Sequence, residues 1–320
     1  MSLKQSLTVV IAAYNEEAAL PLLHPRLSAV LDGMDLDSRV LYVDDGSRDR
    51  TWAVLEDIAA RDPRVSLLRL SRNFGKELAL TAGLDQANGD AALVLDADGQ
   101  DPPELLPDFV ARWRDGADIV YGRRSSRRGE SWLKRATAHA FYRVINRLSA
   151  TDIPADTGDF RLVSRRVLDA LRSLRERQRF MKGLFAWVGY PQVALDYERA
   201  PRLAGRSKFN YWRLWNFALE GITGFSTAPL RVATYIGLAS AAGAFGYGSW
   251  IIAKTVLWGD TVQGWPTLMS VVLFLGGMQL MALGVIGEYL GRLFLESKQR
   301  PLYLVRDWRP AGVPAARQQD

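Results

Sequence analysis

The chain of 320 residues contains no cysteine and only two histidines, His24 and His139. The absence of cysteine excludes disulfide frameworks, cysteine zinc sites, thiol catalysis and iron–sulfur ligation. Two histidines argue against a metal site built from imidazoles and against a Ser/His/Asp triad. A divalent metal ion in this protein would therefore bind oxygen ligands, which favours Mg2+ or Mn2+.

Two nucleotide-binding fingerprints are also absent. No Gly-X-Gly-X-X-Gly turn follows the first predicted strand, and no Gly-X-X-X-X-Gly-Lys-Ser/Thr segment occurs in the chain. Dinucleotide-binding oxidoreductases and P-loop NTPases therefore lose their main support. The composition, with 48% apolar and 24% charged residues, is typical of a folded chain and not of a disordered or fibrous one.

Charge is missing from two long stretches near the C-terminus. Stretches of 22 and 27 residues, which start after Arg231 and Asp260, carry no charged side chain. Each reaches the roughly 20 apolar residues that a helix needs to cross a bilayer. They predict membrane-spanning helices at 232–256 and 266–290. Buried core helices are the alternative, but the many glycines in both stretches are more typical of membrane helices.

The charges around these helices predict their orientation. The connecting segment 258–265 has no Lys or Arg, whereas basic residues precede and follow the pair. By the positive-inside rule both flanks are cytoplasmic. The expected localisation is the inner (plasma) membrane, with two spans and a cytoplasmic N-terminal domain. The aromatic-rich segment 211–230 predicts a helix in the headgroup plane, with an amphipathic core helix as the alternative.

The N-terminal part of the chain alternates short apolar runs, several of them rich in β-branched residues, with helical patterns. Strands are predicted at 7–11, 39–43, 65–70, 91–95 and 118–121. Helices are predicted near 16–31, 50–61, 76–87 and 103–115. This alternation is typical of βαβ crossovers and a mostly parallel sheet, so the predicted fold class is α/β.

Polar segments follow the first four predicted strands. In an open α/β sheet, ligands bind at the carboxyl ends of the strands, so these segments are expected to converge on one crevice. Asp96 and Asp98 lie one residue apart after an apolar strand. Such carboxylates can approach a hard cation, which completes its coordination shell with substrate phosphates.

The densest basic stretch runs from Arg123 to Arg135. Nucleic acid is not a predicted partner, because the chain carries no recognised nucleic-acid-binding motif. Phosphate capture or contact with membrane lipid is the predicted role, and a solvated surface is the alternative. Arg123, directly after a predicted strand, is the candidate phosphate contact.

Four segments in combination resemble family 2 glycosyltransferases of GT-A fold. They are VVIAAYNE (9–16), VDDGSRDRT (43–51), RNFGK (72–76) and DADGQDPPE (96–104). Because the predicted spans come last, the chain is similar to the polyprenyl-phosphate glycosyltransferases, such as dolichol-phosphate mannose synthase and bactoprenol glucosyltransferase. The resemblance implies a GT-A Rossmann-like catalytic domain at 1–210, an interfacial region at 211–230, two transmembrane helices at 231–291 and a cytoplasmic tail at 292–320.

The resemblance also implies roles for individual residues. The nucleotide-sugar would be held by Ala12, Tyr14, Glu16, Asp45, Lys76, Asp96, Ala97 and Asp98, with Ala12 standing where many relatives carry proline. Mg2+ or Mn2+ would be bound by Asp98, Gln100 and Asp96. Asp159, in the segment DTGDFR, matches the aspartate generally taken as the catalytic base, and an orienting role is its alternative. Phosphate and acceptor contacts would come from Arg123, Arg161, Arg206, Ser207 and Lys208.

The implied activity is metal-dependent hexosyl transfer, with inversion, from a nucleoside-diphosphate sugar to polyprenyl (undecaprenyl) phosphate. UDP-glucose is the predicted donor, and another UDP-sugar or GDP-mannose is the alternative. A processive polysaccharide synthase fits less well, because Gln178, Arg179 and Phe180 do not match the GlnXXArgTrp segment of those enzymes. An inactive membrane-anchored binding or scaffold protein and a sugar-lipid flippase are the rivals from other classes. Membrane lipid and a homo-oligomer are expected partners, since relatives include tetramers.

Overall fold

The computed structural model describes residues 4–124, 157–177, 179–198, 228–258 and 264–312. Most of the predicted interfacial region 211–230 lies outside the described residues, as does the basic stretch beyond Arg124. The predicted phosphate contacts Arg206, Ser207 and Lys208 also lie outside them. The predictions for these positions stay predictions.

A mixed sheet of eight strands organises the described residues. The strands are β1 (Ser6–Ala13), β2 (Asp37–Asp44), β3 (Val65–Leu70), β4 (Ala91–Asp96), β5 (Ile119–Arg124), β6 (Thr157–Ser164), β7 (Gln192–Tyr197) and β8 (Val305–Arg309). Their order across the sheet is β7-β5-β6-β4-β1-β2-β3-β8. Parallel pairs join β1 to β2 and β4, β2 to β3, and β5 to β7. Strand β6 runs antiparallel to β4 and β5, and β8 runs antiparallel to β3.

Helices cover both faces of this sheet. They are α1 (Leu20–Asp32), α2 (Thr51–Arg61), α3 (Lys76–Gln86), α4 (Leu106–Arg114), α5 (Arg165–Ser173) and α6 (Met181–Trp187), with a short 3-10 turn at Pro103–Leu105. Along β1, Val9 and Ile11 pack in the cluster that contains α1, α2 and α4, whereas Val10 packs with α3, α5 and α6. Because both faces are buried, the central strands read as continuous apolar runs.

The α/β prediction is confirmed, and the five predicted strands and four predicted helical stretches correspond in place and order to β1–β5 and to α1–α4 with its preceding turn. Two further strands, β6 and β7, were not predicted. The segment of β6, TGDFRLVS, contains glycine and aspartate, which are depleted in strands. In the fold β6 lies between β4 and β5, an insertion that the order of elements along the chain does not indicate.

The C-terminal strand β8 spans Val305–Arg309. It forms the outer edge of the sheet, and the backbone N–H of Ser71 donates to the carbonyl of Leu304 at 2.9 Å. The ladder with β3 begins at Val305, so the apolar residues before it only lead into the strand.

Two long helices precede this strand, α7 (Ala228–Trp258) and α8 (Trp265–Ser297). They pack against each other, and many of their large apolar side chains are exposed. Within them, Leu230–Trp258 and Phe274–Ser297 are long and apolar enough, by length and composition, to cross a membrane. They contain most of both sequence-predicted spans, 232–256 and 266–290.

Candidate active site

The site begins where the strand order reverses. Strand β1 lies between β2 and β4, so a crevice opens at the carboxyl ends of these three strands. Across the ladders, Ala13 pairs with Asp44 and Ala12 pairs with Asp96. The polar segments that follow β1, β2 and β4 therefore start at the same edge of the sheet.

The loop after β1 is joined to the loop after β2 by Asn15. This residue has a positive φ of 54°, which asparagine tolerates better than most residues. Its backbone N–H donates to Ser47 Oγ at 3.0 Å, and its side-chain oxygen accepts from the N–H of Arg48 at 2.9 Å. Sequence reasoning named the partly buried Tyr14 and Glu16 in this loop and missed Asn15.

Asp45, predicted to hold the nucleoside, fastens the loop that leads into α3. Its carboxylate is 3% exposed and accepts hydrogen bonds from the backbone N–H groups of Phe74 (2.7 Å) and Gly75 (2.9 Å) and from the side chain of Asn73 (2.9 Å). Burial raises the pKa of Asp45, and these hydrogen bonds oppose the rise. Beside it, Gly46 has a φ of 65°, and a Cβ there would lie 2.4 Å from the backbone of Arg72.

Strand β4 ends at Asp96, and the predicted metal loop follows directly. Ala97 and Asp98 are 5% and 9% exposed. The backbone N–H of Gln100 donates to Asp98 Oδ1 at 3.1 Å, and Gly99 between them has a φ of 70°. The loop is therefore a tight turn that places the Asp98 carboxylate beside the crevice.

Lys76 joins two predicted site residues that lie far apart in the sequence. Its ammonium Nζ lies 2.7 Å from Asp96 Oδ1 and 2.5 Å from Asp159 Oδ2. The side chains of Asp96 and Asp159 are 16% and 9% exposed, whereas that of Lys76 is 46% exposed. The two carboxylates thus form the floor of the crevice, and the ammonium lies on its open side.

This arrangement determines the charge of Asp159. Burial alone would raise the pKa of the Asp159 carboxyl, but Lys76, and after it Lys182 and Arg161, outweigh burial and hold that pKa well below its ordinary value. Desolvation would lower the pKa of Lys76, but Asp159 and Asp96 raise it well above its ordinary value. Near neutral pH Asp159 is therefore ionised and Lys76 keeps its proton. The other oxygen of Asp159, Oδ1, is buried without a hydrogen bond from the described residues.

Glu77, which follows Lys76 in the chain, was not predicted as a site residue. Its carboxylate accepts the backbone N–H of Met181 at 3.0 Å and so caps the first turn of α6. Burial and then the charge of Asp159 raise the pKa of Glu77 to about 7. The sequence marks it only as an acidic residue in the first turn of α3, a common position for helix stabilisation.

Two of the three arginines predicted to contact phosphate lie within the described residues, and they are differently placed. Arg161 is 3% exposed, donates to the carbonyl of Gly158 at 3.0 Å and stacks over the ring of Phe185 at 4.1 Å. Arg123 is exposed and forms a bidentate pair with Asp196 of β7, at 2.6 and 2.8 Å. A phosphate at Arg123 would have to replace Asp196 or share the guanidinium with it.

A pair of residues that the sequence did not indicate, Tyr197 and Asp101, supports the predicted metal loop from the side of β7. The hydroxyl of Tyr197 donates to Asp101 Oδ1 at 2.5 Å, and Asp101 is fully buried. Gly122 of β5 allows this approach, because a Cβ there would lie 2.7 Å from the Tyr197 ring. The pair joins the end of β7 to the turn that contains Asp98.

The residues fit a divalent cation that takes part of its shell from a ligand. Among the described residues, no group of three or more His, Asp or Glu side chains could hold a metal ion by itself. Mg2+ is commonly held by one or two carboxylates together with substrate phosphates. Asp98 with Asp96 provides that donor set, although Lys76 already occupies one oxygen of Asp96.

Two family models match the chain. Residues 8–172 match the model described as glycosyl transferase family 2, and residues 228–293 match the model described as the GtrB C-terminal hairpin. The first match begins within β1, extends past the end of β6 and includes Lys76, Asp96, Asp98 and Asp159. The second covers almost all of α7 and α8.

Individual relatives agree with these matches. An uncharacterized glycosyltransferase, sll0501, from Synechocystis sp. is 52% identical over 94% of this chain and 95% of its own. The bactoprenol glucosyl transferase of Shigella phage SfV is 46% identical over 94% of this chain and 98% of its own. Among solved structures, the mannosyltransferase PcManGT from Pyrobaculum calidifontis, in complex with GDP-Man and Mn2+, is 16% identical, covers 93% of this chain and 77% of its own, and has a TM-score of 0.45. At that TM-score the likeness supports no inference about this chain.

Proposed function

The chain belongs to glycosyl transferase family 2 and is a hexosyltransferase, and from this premise we propose that it transfers glucose from UDP-glucose to a polyprenyl phosphate such as undecaprenyl phosphate. The observation that carries the proposal is the 46% identity, over nearly the whole length of both chains, to a relative named bactoprenol glucosyl transferase. The match includes the C-terminal hairpin as well as the catalytic domain. The acceptor is therefore proposed to be a lipid and not a soluble molecule.

The chemistry of the proposed acceptor fits the charges of the site. A phosphate monoester has a second pKa near 6, so the nucleophile is mostly deprotonated at pH 7. The reaction then needs charge neutralisation and alignment more than a strong base. Because Lys76 and Lys182 hold the pKa of Asp159 low, we assign Asp159 an orienting and electrostatic role. Its buried Oδ1 is the atom proposed to accept a hydrogen bond from a hydroxyl group of the nucleotide-sugar.

The residues of the crevice divide the remaining tasks. Asp45 positions the 73–75 loop, against which the nucleoside would lie, with Ala12, Tyr14 and Glu16 on the opposite side. Asp98, with Asp96 and Gln100, would hold Mg2+ or Mn2+, which when bound neutralises the leaving diphosphate. Arg123 and the segment Arg206, Ser207 and Lys208 are proposed to bring the acceptor phosphate to the crevice. Attack from the face opposite the diphosphate inverts the anomeric carbon.

The path of the chain supports a site at a membrane surface. Helices α7 and α8 pack against each other, and the chain returns from α8 to the catalytic sheet as β8. The end of α8 is also fastened to that domain, because the backbone N–H of Arg177 donates to Glu296 at 2.7 Å. We propose that both helices cross the plasma membrane and that residues 1–210 and 292–320 are cytoplasmic. Apolar α7 and α8 faces that expose small residues such as Gly243 and Gly277 fit a homo-oligomer, and the resemblance to tetrameric relatives makes a tetramer one candidate assembly.

A donor panel tests the proposal. The full chain in detergent is given undecaprenyl phosphate, Mg2+ or Mn2+, and one labelled donor at a time: UDP-glucose, other UDP-hexoses or GDP-mannose. We expect UDP-glucose to label the lipid with a β-linked product from the α-linked donor. Asp98→Asn should remove the activity, whereas Asp108→Asn, at an exposed position of α4, should retain it. No labelled lipid with any donor and either cation would refute the function, and transfer from another donor would correct only the sugar.

A further inference from the structure

The sheet brings two carboxylates close together. Strands β4 and β6 are antiparallel, and their ladder runs from Ala91 and Ser164 to Val94 and Arg161. Asp96 and Asp159 lie two residues beyond the last pair of this ladder, and both contact the ammonium Nζ of Lys76, at 2.7 and 2.5 Å. Two carboxylates that share one ammonium group are near enough to repel each other. The sheet topology therefore creates a repulsion that another group must offset.

Lys76 is that group, and its own position is locally unfavourable. It is the first residue of α3, where the helix dipole disfavours a cation. The two carboxylates at 2.7 and 2.5 Å offset this cost. The side chain of Lys76 is 46% exposed and borders the crevice, whereas Asp159 is buried and Asp96 is partly buried.

We propose that Lys76 is the resident cation of this crevice: it neutralises Asp96 and Asp159 in the donor-free enzyme and makes binding of a divalent cation depend on the nucleoside diphosphate. A dication at Asp98 and Asp96 lies close to the ammonium and is repelled by it. The two phosphates of the donor supply the negative charge that accommodates both cations. Lys76 is thus a positioning residue for metal and donor. The inference rests on the proposed function for the identity of the ligand.

The size of the effect follows from Coulomb's law. A dication and an ammonium group about 6 Å apart in a water-like dielectric repel each other enough to weaken binding of the dication roughly tenfold. The water-like value gives the smallest effect, because the ammonium of Lys76 is partly desolvated and a lower dielectric strengthens the repulsion. Removal of the ammonium is therefore expected to tighten metal binding by the donor-free enzyme roughly tenfold.

The test is a titration of the full chain in detergent with MnCl2, in which free Mn2+ is followed by electron paramagnetic resonance. The variants are Lys76→Met, Lys76→Gln and the charge-conserving Lys76→Arg. The control is Lys4→Met, because Lys4 is a half-exposed lysine that pairs with Asp35 outside the crevice. Each protein is titrated alone and with UDP, with correction for the complex of Mn2+ and UDP in buffer.

We expect Lys76→Met and Lys76→Gln to bind Mn2+ about tenfold more tightly than the wild type without UDP, and UDP to add less to that affinity. Lys76→Arg and Lys4→Met should match the wild type. Equal or weaker Mn2+ binding by the folded neutral variants overturns the inference, as does a wild type whose Mn2+ affinity UDP leaves unchanged. Two neutral variants, each checked by thermal unfolding, keep the test decisive. Absence of sugar transfer to any lipid would instead refute the proposed function and leave this titration valid.

Discussion

Glu77 makes the stability of this protein depend on pH in a direction opposite to that of an ordinary carboxylate. Burial and the charge of Asp159 raise its pKa from 4.5 to about 7, which corresponds to a preference of about 3 kcal/mol for the protonated form in the folded state. The stabilisation is fully present below pH 4.5, where folded and unfolded chains are both protonated at this position. It is lost as the pH rises to about 7, because the unfolded chain releases its proton first.

Glu77→Gln tests this reasoning. The amide oxygen of glutamine can still accept the N–H of Met181, but the side chain no longer titrates. The variant should gain stability relative to the wild type as the pH rises from 5 to 8, by up to about 3 kcal/mol, or several degrees in melting temperature. Burial lowers the pKa of His24, so His24 adds a pH dependence of its own. The difference between variant and wild type at each pH removes that common contribution.

The assay is thermal unfolding of the full chain in detergent, followed by tryptophan fluorescence at pH 5, 6, 7 and 8. Glu104→Gln is the control, because Glu104 is an exposed residue that pairs with Arg26 at the surface. A melting-temperature difference for Glu77→Gln that is constant across these pH values would refute the reasoning. A difference that becomes more negative toward pH 8 would show that the ionised carboxylate stabilises the fold.

Three further predictions concern the crevice. Asp45→Asn replaces one carboxylate oxygen with an amide N–H₂ group that faces backbone N–H groups, so it should lower the stability of the fold by about 1 to 3 kcal/mol. It should also raise the KM for the nucleotide-sugar more than it lowers kcat. An unchanged KM would exclude the proposed role of the 73–75 loop. Tyr197→Phe leaves the buried Asp101 without the tyrosine hydroxyl and should lower the melting temperature and weaken Mn2+ binding in the presence of UDP, whereas the exposed Tyr235→Phe should do neither. Asp159→Asn should lower turnover strongly but leave the acid limb of the pH–rate profile in place, since the acceptor phosphate and not Asp159 titrates there; loss of that limb would establish Asp159 as the base.

Local patterns were sufficient for much of the fold. Strands β1 to β5 and helices α1 to α4 follow from short apolar runs that alternate with helical periodicity. Charge-free stretches likewise predicted α7 and α8. Strand β6 was not predicted because its glycine and aspartate are unfavourable in a strand. Its antiparallel pairing with β4 supplies the stability that its intrinsic strand propensity lacks.

The candidate site also divides into residues that the sequence indicated and residues that it did not. The carboxylates after β2 and β4 stand out in the sequence because ligands bind at the carboxyl ends of strands in open α/β sheets, and the DTGDFR aspartate stands out through the family resemblance. Asn15, Glu77 and Tyr197 did not stand out, since each looks like an ordinary loop, helix or strand residue. Their importance comes from partners 33, 104 and 96 residues away in the chain.

The sequence by itself determined the α/β class, the two apolar helices and the kinds of side chain available for chemistry, because these depend on composition and on periods of two to four residues. Only the tertiary structure decided that Asp96 and Asp159 share the ammonium of Lys76. That contact depends on the register of two antiparallel strands and on where a helix from another part of the chain begins. No turn fixes this register, since β4 and β6 are not joined by a hairpin and other elements lie between them in the chain.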